Sequence, residues 1–319
     1  MKKEIGGYFS LEKTSKHNDE LYQNLLALNS GRNAFLFYVQ TMGIKKVFLP
    51  FYLCDSLYKV CIANAIEFEQ YHIDRNFKPI FDKPLKNGEL LYIVNYYGQL
   101  EDKDIKELKE KYSNIIVDNV QCFYSGPIEC IPTIYSCRKF FGVPDGAYLS
   151  SKGFKIYDLP QDDSSKRFKH LIGRMNDGAQ AHYKEYLQNE ELFNELPIKR
   201  MSPESKKILC EVDYQKHIEI RNENFQFLDT QLRYFNLLKL KINNGPYCYP
   251  LYIKNAAPLR DELIKNKIYI PILWPNVLNE GNSLEKDFAN NILPLPCDQR
   301  YDLEDMKVIC DVVKNYVKE

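Results

Sequence analysis

The chain has 319 residues, enough to bury the core of one large domain with a smaller one beside it, and its 45% hydrophobic and 27% charged residues are the profile of a soluble globular protein. Its 43 basic residues balance 43 acidic ones, so the electrostatic footprint of a nucleic-acid or anionic-membrane binder is missing. No apolar run approaches the roughly 18–20 residues that span a bilayer, and the opening MKKEIGGYFSLEK lacks a signal-peptide core, so a cytoplasmic protein is expected.

Ser30-Gly31-Arg32-Asn33 opens the first helical pattern, in which Phe35, Tyr38, Val39 and Met42 fall on one face. Val47–Leu49 ahead of Pro50 reads as a buried strand, and Leu90–Val94, Ile115–Val117 and Thr133–Tyr135 read likewise. Short continuous apolar runs bounded by turn residues suit strands covered on both faces, as in a parallel sheet. Ile105, Leu108 and Tyr112 restore the helical period after Glu101-Asp102, whose charges suit a helix N-terminus. The alternation predicts an α/β fold with a large, mainly parallel sheet and helices on both faces.

Residues 158–206 are polar: QDDSSKRFK reads as an exposed connector and HYKEYLQNEELFNEL as a long surface helix. Ser205–Leu232 reads as a helix joining two domains, a large one over residues 1–225 and a small C-terminal α+β domain over residues 226–319. The latter would be built from YCYPLYI, IYIPILWP and a closing helix over Leu303–Val317.

Four local features could carry chemistry. Ser30, Gly31 and Arg32 sit at the mouth of a predicted helix, where free backbone N–H groups and a guanidinium favour phosphate; a plain helix cap is the alternative. Asp118 ends a strand, where open α/β sheets bind ligands, although a surface loop acid would look the same. Lys139 stands between an apolar strand and Phe140-Phe141, so partial desolvation would free its amine as a nucleophile; the alternative is a lysine whose head reaches water. Ser136 to Lys139 also matches S-x-x-K, but the S-D-N and K-T-G partners of that serine-lysine chemistry are missing. The nine cysteines form no C-x-x-C pair, which suits buried reduced thiols, and the five histidines, His17 among them, form no metal-ligand spacing. No metal is expected.

In order, these pieces resemble the DegT/StrS-type aminotransferases. The phosphate loop and helix S-G-T-x-A-L is matched by SGRNAFLFYVQTMGI, and V-H-x-Y-G-Q-x-x-D by VNYYGQLED. VDNVQCF is similar to D-A-A-Q-A, RKFFGVPDGAYL to the lysine segment, KRMSPESKKIL to R-M-S-E-x-x-A-A, and LPLPCDQRYDLEDM to the closing L-P-L-H segment. The resemblance implies PLP-transferase fold type I and pyridoxal 5'-phosphate held through a Schiff base on Lys139. Asp118 would pair with the ring nitrogen, Gln121 would lie near the ring hydroxyl, and Ser30, Gly31, Arg32 and Ser136 would hold the phosphate. The family threonine is Arg32 here, and its ring-stacking aromatic falls on Cys54, leaving Tyr52 as the expected stacking ring. The asparagine that reaches the neighbouring subunit's phosphate is Ile198, and the E-G-G glutamate is Asp145. The implied reaction moves an amino group from an amino acid, usually glutamate, to a keto-sugar nucleotide in polysaccharide synthesis, by a homodimer. A dehydratase would carry histidine in place of Lys139; a non-catalytic binding or regulatory module is the remaining alternative.

Overall fold

A computed structural model describes residues 3–14, 19–152 and 158–318. His17 lies outside the described residues. The chain opens with β1 (Ile5–Gly6) and β2 (Leu26–Leu28), then α1 (Gly31–Thr41), β3 (Lys46–Pro50), α2 (Asp55–Ala63), β4 (Glu67–Ile73) and β5 (Pro79–Ile80). It continues with β6 (Glu89–Val94), α3 (Asp102–Lys111), β7 (Ile115–Asp118), β8 (Thr133–Ser136) and β9 (Ala147–Ser150). Strands β2 to β9 form one eight-stranded sheet in the order β2-β9-β8-β7-β6-β3-β4-β5.

The run from β8 through β7, β6 and β3 to β4 is parallel, with antiparallel partners only towards its edges. Each apolar run read from the sequence lies in this parallel centre: Val47, Leu49, Leu90, Leu91, Ile115 and Ile116 are fully buried. Strand order reverses between β3 and β6, so the crevice beyond their carboxyl ends is where such a sheet accepts a ligand. The loop after β3, the end of β7 and the end of β8 all face that crevice.

Helix α1 is more enclosed than a one-faced pattern implies. Every residue from Asn33 to Val39 is buried, while Met42, expected on the buried face, caps the helix and is 48% exposed. The region after β9 also departs from its sequence reading. The long surface helix read over residues 182–196 is the shorter α5 (Tyr183–Leu192), preceded by α4 (Lys169–Asp177), which the sequence reading did not mark, and the joining helix is broken into α6 (Pro203–Leu209) and α7 (Tyr214–Leu232). Ser202 caps α6 ahead of Pro203, and Asp213 caps α7, a start signal that divides what period alone reads as one element.

The remainder comprises β10 (Tyr249–Tyr252), α8 (Ala257–Lys265), β11 (Ile268–Tyr269), α9 (Val277–Glu280), α10 (Ser283–Asn291), β12 (Ile292–Leu295) and α11 (Leu303–Lys318). β10 and β12 pair antiparallel, and β11 takes the N-terminal β1 as a parallel partner. A second core fills this region with Phe225, Leu228 and Leu232 of α7 against Leu251, Leu259, Leu293, Ile309 and Val313. Among the described residues no helix is long and apolar enough to cross a membrane.

Candidate active site

Beyond the carboxyl ends of the central strands lies a cavity of about 1000 Å3. Ser30, Gly31, Arg32, Asp118, Ser136 and Lys139 all line it, although they come from three separate stretches of sequence. Sheet register explains the meeting: Asp118 closes β7, Ser136 closes the neighbouring β8, Lys139 sits one tight turn later, and α1 begins opposite β8.

Asp118 is 4% exposed and both of its carboxylate oxygens are engaged. The Tyr92 hydroxyl donates to Oδ2 at 2.6 Å and the Val120 amide to Oδ1 at 2.8 Å. Burial pushes the carboxyl above its usual range, and these two bonds together with nearby Lys139 pull it back. Burial and the same carboxylate keep Tyr92 protonated, so the phenol remains a donor. Lys139 is half-buried and lines the cavity. Burial pulls its pKa down, opposed by Cys54 and Asp118 and reinforced by Arg138 and Arg32. A lysine so depressed supplies neutral amine at lower pH than a surface lysine does.

The other pole of the cavity is built for an anion. Ser30 caps α1 by accepting from the Asn33 amide at 3.1 Å, and the amides of Gly31 and Arg32 have no acceptor within the helix. A Cβ added at Gly31 would meet protein no nearer than 3.8 Å, so the bare glycine relieves no clash. It leaves space above the helix end that a side chain would fill. Arg32 and Arg138 both reach into this pole, and burial lowers both, Arg138 to about 10. Between them stands Glu190 of α5. Its Oε1 is in contact with Arg138, its Oε2 is 3.8 Å from Arg32, and its main-chain oxygen accepts from Arg32 at 3.2 Å. A carboxylate thus lies between two guanidiniums beside a helix N-terminus, a donor set whose chemistry suits a phosphate ester.

Two expected residues lie elsewhere. Tyr52 is 1% exposed in the layer beneath the cavity, its ring edge-on to Trp274 and its hydroxyl 3.3 Å from that of Tyr97. Cys54, two residues on, faces the cavity instead, because the chain turns there to begin α2. Gln121 is also fully buried outside the lining, where its Oε1 accepts from the amide of Tyr97, a residue held at φ 54°. Gln121 thus supports the left-handed turn after β6. Asp145 holds the loop beyond Lys139 to α6 by accepting from the Ser202 amide at 2.9 Å, the Ser202 hydroxyl at 2.6 Å and the Ser205 hydroxyl.

Sequence reasoning missed Tyr92, Arg138, Tyr186 and Glu190, all of which line the cavity. Tyr183, Tyr186 and Glu190 at i, i+3 and i+7 were a visible signal of one helical face, here turned inward. Nothing local marked Tyr92 as the partner of Asp118.

No protein-family profile matches this chain, and no curated protein matches its sequence. Solved structures do. A DegT DnrJ EryC1 StrS aminotransferase from Brucella abortus aligns with a TM-score of 0.63 at 14% identity, over 92% of this chain and 85% of that one. PseC of Helicobacter pylori, an aminotransferase of pseudoaminic acid biosynthesis, aligns at 0.65 and 14% identity over 99% and 100%. NtdA of Bacillus subtilis, solved with bound cofactor PMP, aligns at 0.65 and 13% identity over 92% and 73%. The fold is therefore the one that these solved aminotransferases share.

Proposed function

We propose that this chain is a pyridoxal-phosphate-dependent aminotransferase that moves an amino group from an amino acid, glutamate in our reading, to a keto-sugar nucleotide. The observation that carries the reading is the convergence of the Lys139 amine and the Asp118 carboxylate in one cavity, with a phosphate-type cup at its other pole. The fold likeness to sugar aminotransferases adds to it.

The cofactor, when bound, supplies an aldehyde for amine exchange and a ring that accepts electron density. Lys139 would hold that aldehyde and, once released, carry the proton between the substrate carbon and the cofactor. Asp118, whose carboxylate form is favoured by the bonds from Tyr92 and Val120 against the effect of burial, would hold the proton on the ring nitrogen. The main-chain amides of Gly31 and Arg32, with Ser30, Ser136, Arg32 and Arg138, would bind the phosphate. Overall, an amino acid and a ketone become a 2-oxo acid and an amine, with no external oxidant. The cavity is larger than such a cofactor needs, and Tyr8, Tyr183, Tyr186 and Tyr269 line the remainder, an aromatic wall suited to a sugar nucleotide. Sites of this kind are completed by a second subunit, so we also propose a homodimer.

Purified protein mixed with pyridoxal phosphate should develop the visible absorbance of a lysine-bound pyridoxal, borohydride should fix the group on Lys139, and Lys139→Ala should abolish both. Glutamate should then bleach the band. Failure of the wild-type protein to develop any band would sink the proposal.

A further inference from the structure

Glu190 has no place in that scheme. It comes from α5, far in sequence from either arginine, and its carboxylate stands between the two guanidiniums of the phosphate cup. Charge decides what this means. Two guanidiniums match a phosphate dianion; with one carboxylate between them, a single positive charge is left to meet it. Phosphate and Glu190 thus compete for the same partners.

The groups differ in their freedom to move. The Glu190 side chain is 29% exposed, whereas those of Arg32 and Arg138 are 20% and 15% exposed. Arg138 lies over the Phe193 ring at 4.2 Å, and Arg32 keeps its bond to the Glu190 main-chain oxygen wherever the carboxylate goes. The carboxylate can swing to water while the guanidiniums stay. We infer that Glu190 is an intramolecular stand-in for phosphate: it neutralises Arg32 and Arg138 and is displaced when a phosphate monoester enters. The stand-in keeps two half-buried cations from facing each other unscreened, and it weakens phosphate binding by the work of its own removal. The inference rests on the functional reading above for the identity of the ester, but not for the existence of the seat.

Inorganic phosphate tests the seat directly, by calorimetric titration of the full chain freed of cofactor. Pyridoxal phosphate and pyridoxal, followed by absorbance, test the ester and its phosphate-free counterpart. Glu190→Gln keeps the shape and removes the charge, and Glu190→Ala removes the side chain. Both variants should bind inorganic phosphate and pyridoxal phosphate about tenfold more tightly than the wild type, while pyridoxal affinity stays within about twofold. Phosphate affinity that is unchanged or weaker in both variants overturns the inference, whatever the cofactor does. Tighter phosphate binding with no absorbance in any form of the protein leaves the seat standing and rejects the pyridoxal reading.

Discussion

Two sets of half-buried arginines border the same cavity and differ in the partners they are given. Arg300 forms a two-pronged pair with Asp298, at 2.7 and 2.9 Å, and donates to the main-chain oxygens of Tyr8 and Gly7. Arg174 donates to the oxygens of Gly6 and Tyr8. Burial alone would drive Asp298 and Arg300 towards their neutral forms, yet pairing leaves Asp298 below the carboxylate range and Arg300 above its own. Arg138, by contrast, has only Glu190 as an ion-pair partner among the described residues, and burial lowers it to about 10. The contrast separates two uses of a half-buried cation. Where its donors are satisfied it fastens the chain, here the N-terminal segment against the cavity wall. Where a single carboxylate is its ion-pair partner, as for Arg138, a ligand anion can take that partner's place.

Substitution should expose this difference most strongly. Arg300→Leu strands the Asp298 carboxylate and several carbonyl oxygens, and should lower stability by about 3–5 kcal/mol in chemical denaturation. Arg138→Leu should change the stability of the cofactor-free protein by less than about 1 kcal/mol, since Glu190 keeps Arg32 and reaches water. The same variant should lose pyridoxal phosphate affinity by about tenfold or more, as expected for a charge-assisted contact. Equal destabilisation by the two variants would erase the distinction.

Glu12 gives the next largest effect and lies on the fastening side. It joins the N-terminal segment to the lysine loop by accepting from the Gly142 amide at 2.8 Å, while its own amide donates to Gly142 O at 3.0 Å. Burial pushes its carboxyl up to about 7, against that amide bond and the charges of Arg300 and Arg221. A carboxyl raised on folding binds more protons folded than unfolded, so its contribution to stability falls as pH rises from about 4.5 to about 7 and is level above. His217 and His170, lowered to about 4 by burial, act in the opposite sense from about 4 to about 6.5, so the wild-type curve mixes the two. Subtraction isolates Glu12. The stability of Glu12→Gln minus that of wild type should grow between pH 5 and pH 8 by on the order of 2–3 kcal/mol. A difference that stays constant with pH would show that Glu12 is not held protonated.

The same division explains what the sequence disclosed. The parallel centre of the sheet was legible because runs such as Leu90–Val94 are apolar throughout, as burial on both faces requires. Strand β4, with Glu67, Glu69 and Gln70, was illegible because an edgeward position lets polar side chains reach water. Asp118, Ser136 and Lys139 could be read because the first two close strands and the third comes three residues after one, and a strand's end locates its neighbours. The meeting of Arg138 with Glu190 could not, because it depends on how α5 lies across the cavity, even though the spacing of Tyr183, Tyr186 and Glu190 marked one helical face. Tyr52 misled for the opposite reason: its ring looked suited to the cavity, but the turn into α2 directs Cys54 there.

Tyr92 offers the finest discrimination, between the two poles of the cavity. Its hydroxyl is the side-chain donor that steadies the Asp118 carboxylate, and burial opposes ionisation there. In Tyr92→Phe the Val120 amide remains, so Asp118 keeps its place but its pKa rises further, and at neutral pH less of it is ionised to meet a protonated ring nitrogen. Cofactor affinity should fall by about tenfold, the scale of one hydrogen bond to a charged group, and the loss should deepen as pH is lowered. Pyridoxal without its phosphate should lose the same factor, because the disturbed contact is to the ring. Glu190 variants should leave pyridoxal untouched. If Tyr92→Phe altered pyridoxal phosphate affinity but not that of pyridoxal, the two poles would be coupled, and Asp118 could not be acting on the ring nitrogen alone.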